Sequence, residues 1–372
     1  MNPLRTRILT LFIMCMTFVN YAQTYLSWND VESTKFGKEL IFKLRKDDTT
    51  LNGNYKLSES SGAYADVSFN NGKIDGSYIS YDFEGRKISE ATYSDGKIEG
   101  KSSTYFQDGK IASEYYYKNH EPTGTWLEYN RKGEIMVTQN YKDGKKNGKW
   151  TKTLRYPAEN ITSVVTEYYK NDEHTGNWEE RLKDGKLKWE KKYSAHTDYV
   201  KKSYYLNGKL AEEIEIKDRK KNGITTQYTK EGILRYKINY ENDYITYKEV
   251  YFKNGTLKNK THYKYGNING SYIEYSDNGI KITEGNYKDT YKDGVWKIFE
   301  DRKGRLLTET TYENDEKNGM FTQYNDAQKV ASQGTYLHGK KHDTWKYYDL
   351  SGDITREVVF DKGNKVSEQN FN

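Results

Sequence analysis

The chain has 372 residues, of which 31% are charged and only 34% hydrophobic, and its formal net charge is +6. The two signs of charge are nearly balanced and interleaved, which argues against disorder by self-repulsion and against a concentrated basic face for nucleic acid. The 37 tyrosines and the single cysteine, Cys15, exclude a disulfide framework and predict a thin core of aromatic rings.

The N-terminus has the organisation of a secretory signal peptide, over residues 1–22. Arg5 and Arg7 precede an apolar run from Ile8 to Val19, and Ala22 offers a cleavage point. The run is too short to cross the ~30 Å hydrocarbon layer as a permanent helix. We therefore expect export to the periplasm, the cell envelope or the extracellular space. A retained anchor and a lipidated cysteine are the alternatives.

Residues 23–52 contain Trp28 and show no internal repeat. Because the repeats begin directly after them, we expect this segment to cap the first hairpin and to cover its exposed edge.

From residue 53 the sequence repeats with a period of 24 residues. Most units open with a glycine, and these openers are Gly53, Gly76, Gly100, Gly124, Gly148, Gly176, Gly223, Gly270, Gly294 and Gly319. Two openers are missing, near Tyr199 and Thr246, and Asp343 replaces another. About thirteen units fill residues 53–363 and leave a tail at 364–372. A fixed period of this length indicates a repeat array.

Each unit contains two β-prone runs separated by turn signals such as Asp-Gly and Asn-Gly. These pairs tolerate the positive φ that tight hairpin turns require. The predicted turn glycines are Gly96, Gly109, Gly144, Gly185, Gly208, Gly255, Gly279 and Gly294. The pattern predicts an all-β fold, an elongated antiparallel array of β-hairpins that forms a single twisted sheet or a solenoid.

The opener is followed by one aromatic residue two positions on and by a second three positions further. The candidate packing or contact aromatics are Trp126, Tyr129, Trp150, Trp178, Tyr272, Tyr275, Trp296, Trp345 and Tyr348. Residues three apart point to opposite faces of a regular strand. Either the sheet buries aromatics on both faces, or a bulge turns both to one side. Packing is the favoured role, and a stacking ladder for sugars or partner side chains is the alternative.

The signature Gly-x-Trp/Tyr-x-x-Tyr-x-x-x-Gly-x-Ile/Leu, followed by Tyr-x-Asp-Gly-Lys, resembles the MORN repeat (membrane occupation and recognition nexus). It is most similar to the longer bacterial variant, often labelled an antitoxin-type repeat, and covers residues 53–363. The resemblance implies an elongated β-hairpin array that contacts proteins or membrane surfaces.

No signature of catalysis or of a cofactor appears in the sequence. Nucleophile elbow, P-loop and dinucleotide fingerprints are missing, and His338 and His342 are expected in a solvated turn rather than at a metal. We expect no catalytic residue, cofactor or metal. The expected function is that of a secreted or cell-envelope scaffold that binds an unknown protein. The alternatives are a glycan-binding surface, membrane-surface contact, or an antitoxin-like immunity protein that binds one effector.

Overall fold

The structure is a computed structural model that describes residues 23–36 and 39–371. The expected signal peptide lies outside the described residues. The chain divides into two compact units, Met1–Asn147 and Gly148–Asn372. In both units the described residues form β-strands, turns and two short 3-10 helices, which confirms the all-β prediction.

The first unit is an open sheet in which, from β4 to β11, each strand pairs antiparallel with the next. Its strands are β1 (Thr24–Ser27), β2 (Val31–Phe36), β3 (Glu39–Leu44), β4 (Gly53–Ser58), β5 (Tyr64–Asn70), β6 (Lys73–Tyr81), β7 (Lys87–Ser94), β8 (Lys97–Tyr105), β9 (Ile111–Lys118), β10 (Glu121–Tyr129), β11 (Ile135–Lys142) and β12 (Lys145–Lys146). A 3-10 helix, Trp28–Asp30, follows β1.

The second unit continues the same alternation of strand and turn, with antiparallel pairing between chain neighbours. Its strands are β13 (Gly148–Tyr156), β14 (Ile161–Lys170), β15 (Glu173–His174), β16 (Asn177–Leu182), β17 (Leu187–Tyr193), β18 (Tyr199–Tyr204), β19 (Leu210–Lys217), β20 (Lys220–Lys221), β21 (Gly223–Tyr228), β22 (Leu234–Glu241), β23 (Tyr244–Tyr251), β24 (Leu257–Lys264), β25 (Asn267–Tyr275), β26 (Lys281–Lys288), β27 (Tyr291–Phe299), β28 (Leu306–Glu313), β29 (Glu316–Tyr324), β30 (Val330–Leu337), β31 (Lys340–Tyr348), β32 (Ile354–Asp361) and β33 (Asn364–Asn370). A 3-10 helix, Pro157–Glu159, lies between β13 and β14. Residues 364–370, expected as a tail, are β33.

Segment 23–52 packs against the first repeat strands. β1 pairs in parallel with β4, whereas β2 and β3 form a separate hairpin. A cluster of buried aliphatic and aromatic side chains joins this segment to β4 and β5, and its members are Val31, Leu51, Leu57, Ala65, Val67 and Phe69. β1 therefore occupies the edge that β4 would otherwise present to solvent.

Two kinds of turn alternate and together set the 24-residue period. An eight-residue strand, β7, leads through the two-residue turn Asp95–Gly96 to the nine-residue β8, and five residues, 106–110, lead to β9. Both residues of the short turn are left-handed, with φ of 48° and 77°. In the long turn, the N–H of Gly109 donates to the carbonyl of Phe106 at 2.9 Å.

All eight predicted turn glycines have positive φ. Seven of them lie in turns. Gly294 differs from the prediction, because it lies inside β27, where the pairing with β26 breaks between Asp293 and Lys297.

The openers create bulges rather than turns. Tyr93 pairs with Ile98 but Ala91 pairs with Ser102, so that three residues of β8, with Gly100 at their centre, face one residue of β7. The φ of Gly100 is 78°, and Asp343 takes its place in β31 with a φ of 58°. β18, which lacks an opener, pairs with β17 without a break. The glycine signature therefore specifies a bulge once in each repeat.

Candidate functional site

The two aromatic positions of each repeat lie on opposite faces of the sheet. The ring of Trp126 contacts the rings of Tyr115, Tyr117 and Tyr141, at centroid distances of 4.6, 5.0 and 4.7 Å. We call the face that carries Trp126 and its equivalents two residues after an opener the slot face.

Tyr129 and its equivalents, five residues after an opener, lie on the other face, which we call the row face. The hydroxyl of Tyr129 donates to Glu114 at 2.8 Å. Glu114 is directly paired with Leu127, whose side chain points away from that of Trp126. A bulge is present beside Tyr129, but its extra residue, Met136, belongs to β11. The sheet therefore carries aromatics on both faces.

Tryptophans on the slot face are packing residues. The exposed fractions are 8% for Trp150, 6% for Trp178, 3% for Trp296 and 2% for Trp345, whereas Trp126 is partly buried. The indole N–H donates to a backbone carbonyl ten residues earlier, in the pairs Trp126–Tyr116, Trp178–Tyr168, Trp296–Asn286 and Trp345–Thr335, at 2.8 to 3.1 Å. Several of these carbonyls stand at the break that the bulge makes in the ladder, so the indole supplies a missing donor.

Two glycines that the sequence reading missed allow slot-face rings to stack. Tyr272 and Trp296 lie on either side of Gly285, with centroids 5.8 Å apart and planes at 29°. A Cβ on Gly285 would lie 2.3 Å from the Trp296 ring. Gly334 occupies the same place between Phe321 and Trp345, which are 5.4 Å apart. Their signal in the sequence was a glycine inside a β-prone run, away from any turn.

Lysines cover the remaining ring surface on this face. The Nζ of Lys292 lies 4.5 Å from the Trp296 ring centroid, and that of Lys341 lies 4.0 Å from the Trp345 centroid. Each lysine stands two residues before its opener position, so one strand supplies both the ring and the cation. This cation–π arrangement leaves these indoles no free face for a ligand.

A repeated tyrosine–carboxylate–lysine set defines the row face. The hydroxyls of Tyr129, Tyr204 and Tyr324 donate to Glu114, Glu190 and Glu309 at 2.8, 2.6 and 3.0 Å, and Tyr105 donates to Glu90 in the same way. Lysines pair with these acids, as in Lys87–Glu90, Lys101–Glu114 and Lys297–Glu309. Hydrogen bonds from Lys87 and Tyr105 lower the pKa of Glu90. The row face therefore carries aromatic hydroxyls among charges that are paired.

The remaining predicted aromatics divide between the two faces. Tyr272, on the slot face, donates to Glu274 at 3.1 Å. Tyr275 stands opposite Lys281 where β25 pairs with β26. Tyr348 accepts a hydrogen bond from the side-chain amide of Gln333 at 2.8 Å, in place of the usual carboxylate.

A buried carboxylate, Glu180, lies at the centre of a hydrogen-bond network in the second unit. It accepts hydrogen bonds from Ser163 at 2.7 Å, from the Trp189 indole at 2.5 Å and from Tyr156 at 2.9 Å. The Nζ of Lys188 also lies 3.3 Å from the Glu180 carboxylate. Burial alone would raise the pKa of Glu180, but the hydrogen bonds outweigh it and hold the pKa below its usual value.

The described residues contain no group of three or more metal-ligating side chains, and within them no helix is long and apolar enough to span a bilayer. His338 lies in a two-residue turn as expected, whereas His342 lies in β31.

The family model described as MORN repeat variant matches residues 98–119, 122–143, 200–218 and 221–242. Both matches in the first unit begin at the second residue of a nine-residue strand and end at the first residue of a two-residue turn. No curated protein matches the chain.

Several solved structures show low similarity to the chain. The Tc holotoxin pore of Photorhabdus luminescens is 14% identical, over 76% of this chain and 16% of that one, with a TM-score of 0.18. The TcdB2–TccC3 structure is 13% identical, over 82% and 20%, with a TM-score of 0.18. A protein from Lactobacillus plantarum is 10% identical, over 90% and 96%, with a TM-score of 0.10. The chain spans a fifth or less of the two toxin chains.

The four family matches fall on strand–turn–strand hairpins of both units, and in these segments the chain carries MORN repeats of the variant type.

Proposed function

We propose that the protein is an exported, non-catalytic scaffold that binds a partner protein along the row face. The observation that carries the proposal is the repeated tyrosine–carboxylate–lysine set, whose lysines are 38% to 44% exposed at Lys87, Lys101 and Lys297. Tyrosine supplies much of the contact area at protein interfaces, and alternating charges select a partner with the complementary pattern. Because the set recurs on neighbouring strands, it extends the binding surface across the strands.

The slot face is less suited to ligand binding. Trp296 and Trp345 are buried, and lysines cover their rings, so a ladder of these indoles does not offer flat surfaces to a polysaccharide. An immunity role against one effector remains the second candidate from the family resemblance, and it differs from a general scaffold in the identity of the partner.

Neighbouring residues on β27 provide a matched test. Lys297 lies on the row face, and Ile298 lies on the slot face with 47% of its surface exposed. A photo-crosslinking amino acid is placed at each position in turn, and the full chain is irradiated with envelope extract. We expect a defined protein adduct from position 297 and none from position 298. Equal adducts from both positions, or none from either, would reject the row face as the binding surface.

Export is tested separately by N-terminal sequencing of the protein recovered outside the cytoplasm. We expect the mature chain to start at Gln23. An intact Met1 in a membrane fraction would contradict cleavage.

A further inference from the structure

A backbone hydrogen bond ties most of the two-residue turns to the turn before. The second residue of the turn donates its N–H to the second residue of the strand that follows the preceding turn. The pairs include Gly96–Ile74, His120–Ile98, Gly144–Pro122, Asp243–Lys221, Thr290–Ile268, Asp315–Lys292, Gly339–Lys317 and Gly363–Lys341, at 2.7 to 3.1 Å. We call this bond the turn staple.

The staple is missing at the turn Tyr265–Gly266. Its acceptor would be the carbonyl of Ile245, and the described chain holds no bond between Gly266 and Ile245. The neighbouring opener glycine is also absent, because Thr246 occupies its position and the bulge shrinks to one extra residue. A cleft of about 400 Å³ opens here between two turns. That volume is within the range of small-ligand sites.

Two exposed tyrosines flank the cleft. Tyr244 is 56% exposed and Tyr265 is 78% exposed, and their rings meet edge to face with centroids 6.2 Å apart and planes at 89°. Tyr265 has a φ of 50° and is the only tyrosine among the described left-handed residues outside glycine. Most other turns place Asn or Asp at this position. A bulky ring in this conformation is strained, and such strain is concentrated at functional sites.

Polar groups around these rings lack partners. The side chains of Glu241 and Asn242 and the hydroxyls of Tyr244 and Tyr265 make no hydrogen bond within the described chain, and all of them line the cleft. Lys264, which also lines it, balances the charge of Glu241, so the lining has no net charge. These features favour a neutral ligand with hydroxyl groups and one apolar face.

We propose that this cleft binds a neutral oligosaccharide. A tyrosine ring packs against the C–H face of a sugar ring, and the Glu241 carboxylate and the Asn242 amide hydrogen-bond its hydroxyls. A peptide added as an extra strand is disfavoured, because β23 and β24 each already have strand neighbours on both sides. A charged ligand is disfavoured, because the lining has no net charge to balance it. The site is separate from the row face and does not depend on a protein partner.

The structure supplies both test variants and a matched control. Tyr265→Asn removes a ring and places a turn-favouring residue at the left-handed position. Tyr244→Ala removes the second ring. Tyr291 is the equivalent of Tyr244 two repeats later and is 51% exposed, but its staple, from Asp315 to Lys292, is intact. Tyr291→Ala is therefore the control for loss of an exposed tyrosine.

Binding of cellohexaose, xylohexaose, laminarihexaose, mannohexaose and chitohexaose to the full chain is measured by isothermal titration calorimetry. We expect at least one of them to bind. Tyr244→Ala and Tyr265→Asn should each weaken its affinity at least about tenfold, which corresponds to about 1.4 kcal/mol, and Tyr291→Ala should leave it unchanged. Thermal unfolding of Tyr265→Asn should match or exceed that of the unsubstituted chain, which separates loss of binding from misfolding.

Three results would overturn the assignment. The first is that none of the five oligosaccharides binds. The second is that Tyr291→Ala weakens binding as much as the cleft variants. The third is that a peptide library, and no sugar, yields ligands whose binding depends on Tyr244 and Tyr265.

Discussion

At the residue scale, the packing of each slot-face ring depends on the residue that is paired with it on the neighbouring strand. Tyr272 and Trp296 can stack because Gly285 has no side chain, and the Trp296 indole then reaches the carbonyl of Asn286 at 3.0 Å. Where a threonine replaces the glycine, as at Thr310, the flanking rings of Trp296 and Phe321 have no stacking contact in the described chain. A single methyl group at position 285 is therefore expected to have a large effect.

Gly285→Ala should destabilise the hairpins around it by about 1–3 kcal/mol, because the new Cβ overlaps the Trp296 ring in a packed region. Its φ is not in the left-handed region, so backbone strain does not contribute. The measurement is the free energy of local opening of β25–β27 by hydrogen exchange. The control is a double-mutant cycle with Trp296→Leu, in which the penalty should shrink. A variant as stable as the original chain would contradict the conclusion that Gly285 is needed for the close packing of Tyr272 and Trp296.

Glu180 makes the second unit sensitive to acid. Its pKa in the folded state is below the ordinary value, so the carboxylate stabilises the fold above the pKa of the unfolded chain, and this contribution is lost as pH falls through the folded pKa. We expect the fluorescence of Trp189 to report local unfolding in acid, below about pH 4. Glu180→Gln should be less stable at neutral pH and should show a weaker acid dependence. An unchanged pH profile in this variant would exclude Glu180 as the cause.

At the element scale, a repeat contains one short turn, one long turn and one bulge at the opener, and left-handed residues occur in all three. The sequence predicts the turns and the period because Asp-Gly and Asn-Gly carry a local signal. It identified the openers but not their role, since a bulge is defined by pairing with another strand. The i, i+3 spacing of Trp126 and Tyr129 also could not be assigned to faces until that pairing was known.

Gly279→Val should destabilise the β25–β26 hairpin by about 1–3 kcal/mol, because a β-branched residue is penalised at a φ of 84°. A Cβ at this position meets nothing within 4 Å, so the whole cost is conformational. Gly279→Asn is the control and should cost less, since Asn adopts left-handed conformations. Hydrogen exchange of the hairpin amides measures both. Equal losses in the two variants would point to another cause.

The contacts that sequence reasoning missed are all between strands. Glu180 gathers Tyr156, Ser163 and Trp189 from three strands, and none of these residues has a motif of its own. The absence of the turn staple at Gly266 is likewise recognised only by comparison with the other turns, in which this hydrogen bond is present. Local sequence patterns therefore predict the hairpin. The differences between individual hairpins can be identified only when the register of strand pairing is known.

At the scale of the whole molecule, the array has mainly neighbour contacts, so damage should remain local. Trp345→Ala should cost about 3–5 kcal/mol in the strands around it, because the ring is 2% exposed. Hydrogen exchange should accelerate in β30–β32 and stay unchanged in β6–β9. The partly buried Trp126 provides a comparison, and its replacement by Ala should cost less. Acceleration throughout the chain would show that the array unfolds as one cooperative block.

The stacked pairs also reveal a longer period. Gly285 and Gly334 are 49 residues apart, as are Trp296 and Trp345, and the buried Thr310 and Val358 occupy the equivalent position of the hairpin that follows each stack. In this part of the chain, the glycine-centred stack recurs at every second hairpin. Duplication of a two-hairpin segment would lengthen the protein while every new ring met a partner already suited to it. Insertion or removal of this two-hairpin segment of 49 residues is therefore the change in repeat number that best preserves the stacked pairs.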